Sequence, residues 1–162
     1  MDTNPILYFL NTQASTSIAG FVIIVVSIIA IYFQRKTTKQ KAALDFLDKL
    51  ATEQHLIDSA KFLKECHIDP ETSVELIATS KKQEHRSSQL KLNIILNYFE
   101  SLSIGVRIGI YDKKTVCLSR NQQIIRTFEQ AQPYIQYIRK DLSNDKIFEN
   151  LEWLANKLKI GV

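Results

Sequence analysis

The most constraining feature of this 162-residue chain is a long stretch without charge, because no charged residue lies between Asp2 and Arg35. All 21 lysines and arginines stand at or after Arg35. Residues 14–33 give twenty uncharged positions, which as a helix would cover about 30 Å, the thickness of a bilayer core. Eleven of the sixteen residues in 18–33 are Ile, Val or Phe, and together they favour insertion by roughly 3 to 7 kcal/mol. The sequence therefore predicts one transmembrane helix over about 14–33, within an N-terminal segment of residues 1–34.

The flanking charges predict how this helix would be oriented. Four basic residues follow the apolar run, namely Arg35, Lys36, Lys39 and Lys41, and no lysine or arginine precedes it. The positive-inside rule then places the N-terminus outside and residues 35–162 in the cytoplasm, on a single-pass protein of the inner membrane. A buried helix of a soluble protein is one alternative. A cleaved signal peptide is another, but it would need a basic leader, a shorter apolar run and a small-residue cleavage site.

The remaining residues, 35–162, are expected to form one helical domain. The chain has only 4 glycines and 3 prolines, too few for a turn-rich β fold. Apolar residues at helical spacing predict helices over 38–67, with a break near 52–55, over 89–110 and over about 112–132. Residues 102–110 also alternate as a strand would, but no second strand is available to pair with them. The predicted fold class is all-α, a transmembrane helix followed by a cytoplasmic helical domain.

Several shorter signals refine this layout. Asp69 followed by Pro70 indicates a helix start, and Pro133 indicates the restart of a short helix. Asp112 and Asn144 are predicted caps of the helices that follow them. Residues 80–88 are polar and basic and are predicted to be a helix end and a loop.

Common catalytic patterns are missing from the sequence. It contains no GxSxG, HExxH or P-loop motif. The 2 cysteines and 3 histidines are scattered rather than clustered as metal ligands. We therefore expect a protein that is not an enzyme and that needs neither metal nor cofactor.

The basic segment after residue 80 is the first candidate binding feature. Its cations could donate charge-assisted hydrogen bonds to a phosphate, and the plainer alternative is a solvated loop. The residues concerned are Lys81, Lys82, His85 and Arg86.

Amides supply two further candidates. Asn93 and Asn97 share one face of the predicted central helix with Glu100 and Ser101, where they could read base edges or bond to another helix. Asn121, next to Arg120, falls on an otherwise apolar stripe and could likewise bind a ligand or a neighbouring helix.

An aromatic residue in the last predicted helix is the fourth candidate. Trp153 lies one step off the apolar stripe of this helix. It could stack on a base, fill an interface or simply pack in the core.

The central part of the chain resembles a family of small bacterial and phage proteins of unknown function. The similarity rests on residues 97–100 (NYFE), 105–109 (GVRIG), 111–112 (YD), 125–129 (IRTFE) and 133–135 (PYI), within a match over about 38–140. It implies an N-terminal membrane helix and a helical cytoplasmic domain. In that setting Arg126 and Glu129 are expected to form an ion network with Glu100, since partly buried charges need partners.

Size and layout also resemble a narrower group, the small membrane effectors of type III CRISPR systems that bind cyclic tetra-adenylate. This resemblance implies a cyclic oligoadenylate ligand at the interface of a homo-oligomer, expected to be a tetramer, with membrane perturbation as the output and no DNA partner. Our first hypothesis is therefore an antiphage defence effector of this kind. The alternative is a membrane-anchored interaction module without a nucleotide ligand, such as a prophage exclusion factor or a scaffold.

Overall fold

The computed structural model describes residues 5–68, 73–80 and 84–161, without the side chains of residues 5–15 and 84. Within these ranges the chain forms six helices and no strand. The helices are α1 (Pro5–Thr52), α2 (Gln54–Ile68), α3 (Val74–Thr79), α4 (Glu84–Arg107), α5 (Lys113–Asp141) and α6 (Glu149–Lys159). The all-α prediction is confirmed, including the choice of helix over strand for most of 102–110.

The chain divides into two compact units, residues 1–38 and 39–162, with the boundary inside α1. In the first unit, every described side chain from Thr16 to Thr38 is exposed. By length and composition, α1 could span a membrane. Its one hydroxyl in the most apolar stretch is satisfied locally, because Ser27 Oγ donates to the carbonyl oxygen of Ile23 at 2.7 Å. Isoleucine and valine on all sides are what a lipid-facing helix requires.

The second unit is built around one apolar core. The end of α1 contributes its buried face to this core, and the predicted break follows at Glu53, whose carbonyl accepts from the N–H of Leu56 at 3.0 Å and of Ile57 at 3.1 Å. α4 lies at the centre and contributes the most completely buried side chains. The largest fully buried residues are Leu63, Ile77, Leu92, Ile95, Leu96, Phe99, Leu102, Val116, Ile124, Ile135, Leu151 and Leu154.

A tight turn joins α4 to α5. Gly109 adopts a left-handed conformation, with φ of 76°, and the N–H groups of Ile110 and Tyr111 donate to the carbonyl of Gly105 at 2.9 and 3.0 Å. The Tyr111 ring lies directly over Gly105, where an added Cβ would collide with the ring carbons. Glycine is therefore needed at 105 for space and favoured at 109 for backbone conformation.

α5 differs from its prediction in where it is interrupted. Its predicted cap is confirmed, because Asp112 Oδ1 accepts from the Thr115 N–H at 2.8 Å. The helix then continues through Pro133 to Asp141, so the predicted restart at Pro133 is wrong. Residues on both sides of the proline are buried in the same core, and this packing outweighs the lost N–H. The backbone is instead non-helical at Arg120, with φ of −139° and ψ of 16°.

The last helix begins later than predicted. Asn144 Oδ1 accepts from the Lys146 N–H at 3.0 Å and shapes a turn, not a helix start. α6 starts at Glu149, after Phe148 in a left-handed conformation that provides no side-chain cap. The predicted cap at Asn144 is therefore wrong.

A carboxylate from α4 caps α6 instead. Glu100 accepts from the N–H of Leu151 at 2.7 Å, the N–H of Asn150 at 3.3 Å and Asn150 Nδ2 at 2.7 Å. Glu129 pairs with Lys159 Nζ at 3.0 Å, and Arg126 is exposed. The expected network of Glu100, Arg126 and Glu129 is therefore wrong, because two of its members have other partners.

The region before α4 also differs from its prediction. α4 begins at Glu84, so His85 and Arg86 lie in its first turns and not in a loop. α3 is capped by Ser73, whose Oγ accepts from the Leu76 N–H at 3.3 Å. The helix start predicted at Asp69 and Pro70 lies outside the described residues, while Val74 and Ile77 of α3 are buried in the core.

Candidate ligand-binding groove

One groove of the described part of the chain has a volume of about 670 Å³, within the range of roughly 300–1,000 Å³ typical of small-molecule sites. It lies between α3, α4, the end of α5 and the connection from α5 to α6. Polar and aromatic side chains line it together with apolar ones. The lining residues are Ala78, Ser80, Arg86, Gln89, Asn93, Tyr134, Tyr137, Ile138, Asp141, Leu142, Ile147 and Phe148.

Two amides on α4 are held in fixed orientations beside this groove. Gln89 Nε2 donates to the carbonyls of Ile77 at 3.0 Å and Ser80 at 3.3 Å, which ties the end of α3 to α4. Asn93 Oδ1 accepts from the Tyr134 hydroxyl at 3.1 Å. Since the oxygen of Asn93 is occupied, its Nδ2 is the group left to donate to a ligand.

Tyr134 is suited to this positioning role. Burial raises the pKa of its hydroxyl, and the hydrogen bond to Asn93 offsets only part of that rise. The hydroxyl therefore stays protonated around neutral pH and remains a donor to Asn93. Tyr137, one helical turn further along α5, is half-buried and offers an aromatic face to the same groove.

The charged lining residues are Arg86 and Asp141, both exposed. Neither has an ion-pair partner within 4.0 Å in the described part of the chain. An arginine in this position presents donors in the fork geometry that binds phosphate or carboxylate in a bidentate manner. The groove can thus bind an anionic group at Arg86 while Asp141 accepts a hydrogen bond from a donor on the same ligand.

The connection between α5 and α6 closes one side of the groove in an unusual backbone conformation. Ser143 and Phe148 have φ of 49° and 57°, values that side-chain-bearing residues rarely adopt. Arg139 stabilises this segment, because its Nε donates to the Ile147 carbonyl at 2.9 Å and its Nη2 pairs with Glu152 at 2.8 Å. Backbone strain of this kind is often found beside binding sites.

The structure brings together only part of the predicted binding set. Arg86 and Asn93 line the groove, and His85 precedes Arg86 on α4 but is not among the lining residues. Lys81 and Lys82 lie outside the described residues. Asn97 is exposed and lines a separate shallow depression of about 360 Å³, which also includes Ser101.

Arg120 and Asn121 stand at the bend in α5, apart from the groove lining. Arg120 Nη1 donates to Gln123 Oε1 at 3.2 Å and lines a cavity of about 400 Å³ with Asp45 and Asp48. Asn121 Oδ1 is buried without a hydrogen-bond partner among the described residues. Within a single chain these two residues do not line the groove, and their role in ligand binding stays a prediction.

Trp153, the fourth candidate, is not among the residues that line the groove. It is half-buried on α6, with the Arg107 guanidinium carbon 5.6 Å and Lys157 Nζ 5.1 Å from its ring centroid. These are cation–π distances, and they place two cations beside one aromatic ring at the edge between α4 and α6.

Sequence reasoning missed the contribution of Gln89, Tyr134 and Tyr137 to the groove. The two tyrosines are three residues apart directly after Pro133, so helical spacing puts both on adjacent positions of one face. That signal was present, but it does not tell which helices the shared face meets, because this depends on how α5 packs against α3 and α4. In the described part of the chain, no group of three or more His, Cys, Asp or Glu side chains could hold a metal ion.

Comparison with protein families identifies the group to which this chain belongs. The model of a domain of unknown function, DUF4760, matches residues 17–158. The chain is a member of the DUF4760 family. The match includes both the apolar part of α1 and the whole groove of this DUF4760 protein. Searches of curated proteins and of solved structures give no match, so the narrower resemblance to CRISPR effectors is not confirmed.

Proposed function

We propose that this DUF4760 protein is a membrane-tethered, non-catalytic defence effector that binds a cyclic oligoadenylate, such as cyclic tetra-adenylate, in the groove. One observation carries the proposal: Arg86, Asn93 and Tyr137 line a single cavity of about 670 Å³. The adenylate class comes from the resemblance in sequence and layout. The apolar helix would hold the protein in the inner membrane, with the helical domain in the cytoplasm as the flanking charges predict.

The lining residues support nucleotide binding through three kinds of contact. The Arg86 guanidinium matches a phosphate, and charge-assisted bonds of this type are the strong ones. The free Nδ2 of Asn93 can donate to a ring nitrogen of adenine. The Tyr137 ring can stack on the base, and such stacking contributes about 1–3 kcal/mol.

The groove also supports binding by an oligomer. Each chain offers one cavity and one guanidinium in its lining, which suits one nucleotide unit and its phosphate. A cyclic tetra-adenylate contains four such units, so four chains would each bind one of them. A ring of chains with parallel membrane helices has the cyclic symmetry of that ligand.

Such an assembly would couple ligand binding to the arrangement of the apolar helices in the membrane. If the ligand favours the tetramer, it brings four apolar helices together in the bilayer. Coupling energies between sites are usually about 1–3 kcal/mol, enough for a clear change in oligomer population. Membrane perturbation would follow from the altered packing of these helices.

The test is a titration of the full-length protein in lipid nanodiscs with cyclic adenylates of three, four and six units and with AMP. We expect saturable binding of cyclic tetra-adenylate, and Arg86→Ala should weaken it by about 10- to 100-fold, as loss of a hydrogen bond to a charged group predicts. Arg126→Ala is the matched control, because this arginine is also exposed on a helix but lies outside the groove.

Two outcomes would overturn the proposal. One is the absence of binding to any of these adenylates at low salt. The other is equal weakening by Arg86→Ala and Arg126→Ala, which would indicate general attraction of an anion to a basic protein without use of the groove.

The edge between α4 and α6 favours a second candidate, the interaction module. Trp153 lies close to the Arg107 guanidinium and to Lys157 Nζ, and Ile104, three residues before Arg107 on α4, is 39% exposed. Tryptophan and arginine are the residues that most often dominate protein interfaces. Crosslinking in membranes tests it: a single heterologous partner that is lost on Trp153→Ala would favour a scaffold or exclusion factor.

A further inference from the structure

The turn between α4 and α5, residues 108–111, exposes two isoleucines that the core does not use. Ile108 is 63% exposed and Ile110 is 53% exposed, whereas Tyr111 between the turn and α5 points inward onto Gly105 and Phe46. From this turn and the cations around it, we propose that residues 108–110 contact the surface of an anionic lipid bilayer.

The fold itself gives no reason for isoleucine at these positions. Tight turns normally use Gly, Asn, Asp, Ser or Pro, each for a conformational reason. Here Gly109 supplies the left-handed residue and Tyr111 supplies the inward contact. Two β-branched apolar side chains thus face solvent on either side of Gly109, at positions where the turn itself does not require them.

Chain connectivity sets an upper limit on the distance between this turn and the end of the apolar run. The Asp112 N–H donates to the Lys39 carbonyl at 3.3 Å, and a Cβ built on Gly109 would lie 3.7 Å from Lys39 Nζ. Lys39 follows Phe33, the last residue of the apolar run, by six positions. Six residues reach at most about 20 Å even when fully extended, and about 9 Å in a helix. A turn tied to Lys39 is thus within reach of the headgroup region.

The charges around the turn fit an anionic surface. Lys113 and Lys114 follow it directly, and Lys39 lies beside it. The acidic residue of the segment, Asp112, directs Oδ1 to the Thr115 N–H at 2.8 Å and the Thr115 hydroxyl at 2.7 Å. Its carboxylate therefore caps the start of α5, and the three lysines give the segment around the turn a net positive charge.

A depth measurement on the full-length protein tests this contact. Ile108→Cys in a Cys117→Ser background would carry an environment-sensitive fluorophore, while the native Cys66 is buried. Leu90→Cys is the matched control, because Leu90 is 60% exposed and lies on α4, far along this helix from the turn. Both proteins are reconstituted in vesicles of phosphatidylcholine alone and of phosphatidylcholine mixed with phosphatidylglycerol, each containing headgroup-labelled nitroxide lipid.

We expect nitroxide quenching of the fluorophore at 108 in the mixed vesicles and little quenching at 90. Lys114→Gln should lower the equilibrium constant for lipid contact about fivefold in mixed vesicles, the effect of one cation near an anionic surface. The same change should have no effect in phosphatidylcholine, and added salt should reduce quenching in the mixed vesicles.

Two results would overturn the inference. Equal access of a water-soluble quencher to both labels in both vesicles would mean that the turn faces water. Shielding of the label at 108 from water without quenching by lipid would mean that a protein surface covers the turn, either of a second copy or of another partner. Neither result depends on whether the groove binds a nucleotide.

Discussion

The starts of α5 and α6 are capped in different ways. Each helix must satisfy the N–H groups of its first turn. α5 uses Asp112, the residue directly before it, whereas α6 uses Glu100, about fifty residues earlier on α4. The first cap is local and would form in an isolated peptide. The second exists only after α6 has docked, so it ties the stability of α6 to the rest of the domain.

Glu100→Ala is expected to cause the largest loss of stability, and it tests the cap that α4 provides to α6. The change removes acceptors for two backbone N–H groups and for Asn150 Nδ2. We expect a loss of about 2–3 kcal/mol in the free energy of unfolding, as for hydrogen bonds to a charged group. Denaturant unfolding of the full chain in detergent measures it. A loss no greater than that of Glu149→Ala, an exposed carboxylate at the same helix start, would refute the remote cap.

Gly105→Ala tests the turn that leads into α5. The added methyl would meet the Tyr111 ring, and overpacking of this kind costs about 1–3 kcal/mol. Thermal unfolding should show a lower Tm. In a Tyr111→Ala background the same change should cost much less, because the ring is gone. An equal cost in both backgrounds would show that the ring is not what requires glycine here.

Asp112→Ala should have a smaller effect than Glu100→Ala. Loss of a local cap costs about 1 kcal/mol, and Asp112→Ser or Asp112→Asn should restore most of it because both can accept from the Thr115 N–H. If Asp112→Ala proves more damaging than Glu100→Ala, the comparison between the two helix starts is wrong. Unfolding curves of the three variants under one buffer condition decide this.

Ser143→Gly is expected to have the smallest effect on stability and, unlike the other substitutions, to increase it. Ser143 is exposed with φ of 49°. A left-handed conformation costs a residue with a side chain about 1–2 kcal/mol, and glycine avoids this cost. Part of the gain is lost because glycine has more conformational entropy in the unfolded chain. We expect a gain of about 0.5 kcal/mol, measured as a small rise in Tm. A clear loss would indicate that the serine side chain supports the connection to α6.

The contrast between a cap from a neighbouring residue and a cap from a distant helix also explains which parts of the fold could be predicted from the sequence. The break at Glu53 and the cap at Asp112 depend on neighbouring residues, and both predictions were confirmed. Asn144 carries a good local capping signal but serves a turn, since the start of α6 is decided by a carboxylate from another helix. Pro133 likewise carries a local signal that core packing on both sides overrides.

The candidate site was predictable only in its chemistry. Arg86 and Asn93 were chosen as a cation and an amide suited to a nucleotide, and both line the groove. Asn97 and Asn121 are the same residue type, but their positions on α4 and α5 direct them to other cavities. Residue type alone cannot separate these cases, because the separation depends on how α4 and α5 pack together.

The position of α4 has a mechanical consequence. This one helix carries the amides of the groove, the Tyr98 hydroxyl that donates to the Phe46 carbonyl of α1 at 3.0 Å, and the carboxylate on which α6 begins. A rotation of α4 about its own axis would move all three attachments together. A force applied at the groove would therefore reach the Phe46 carbonyl and the start of α6 through α4 itself.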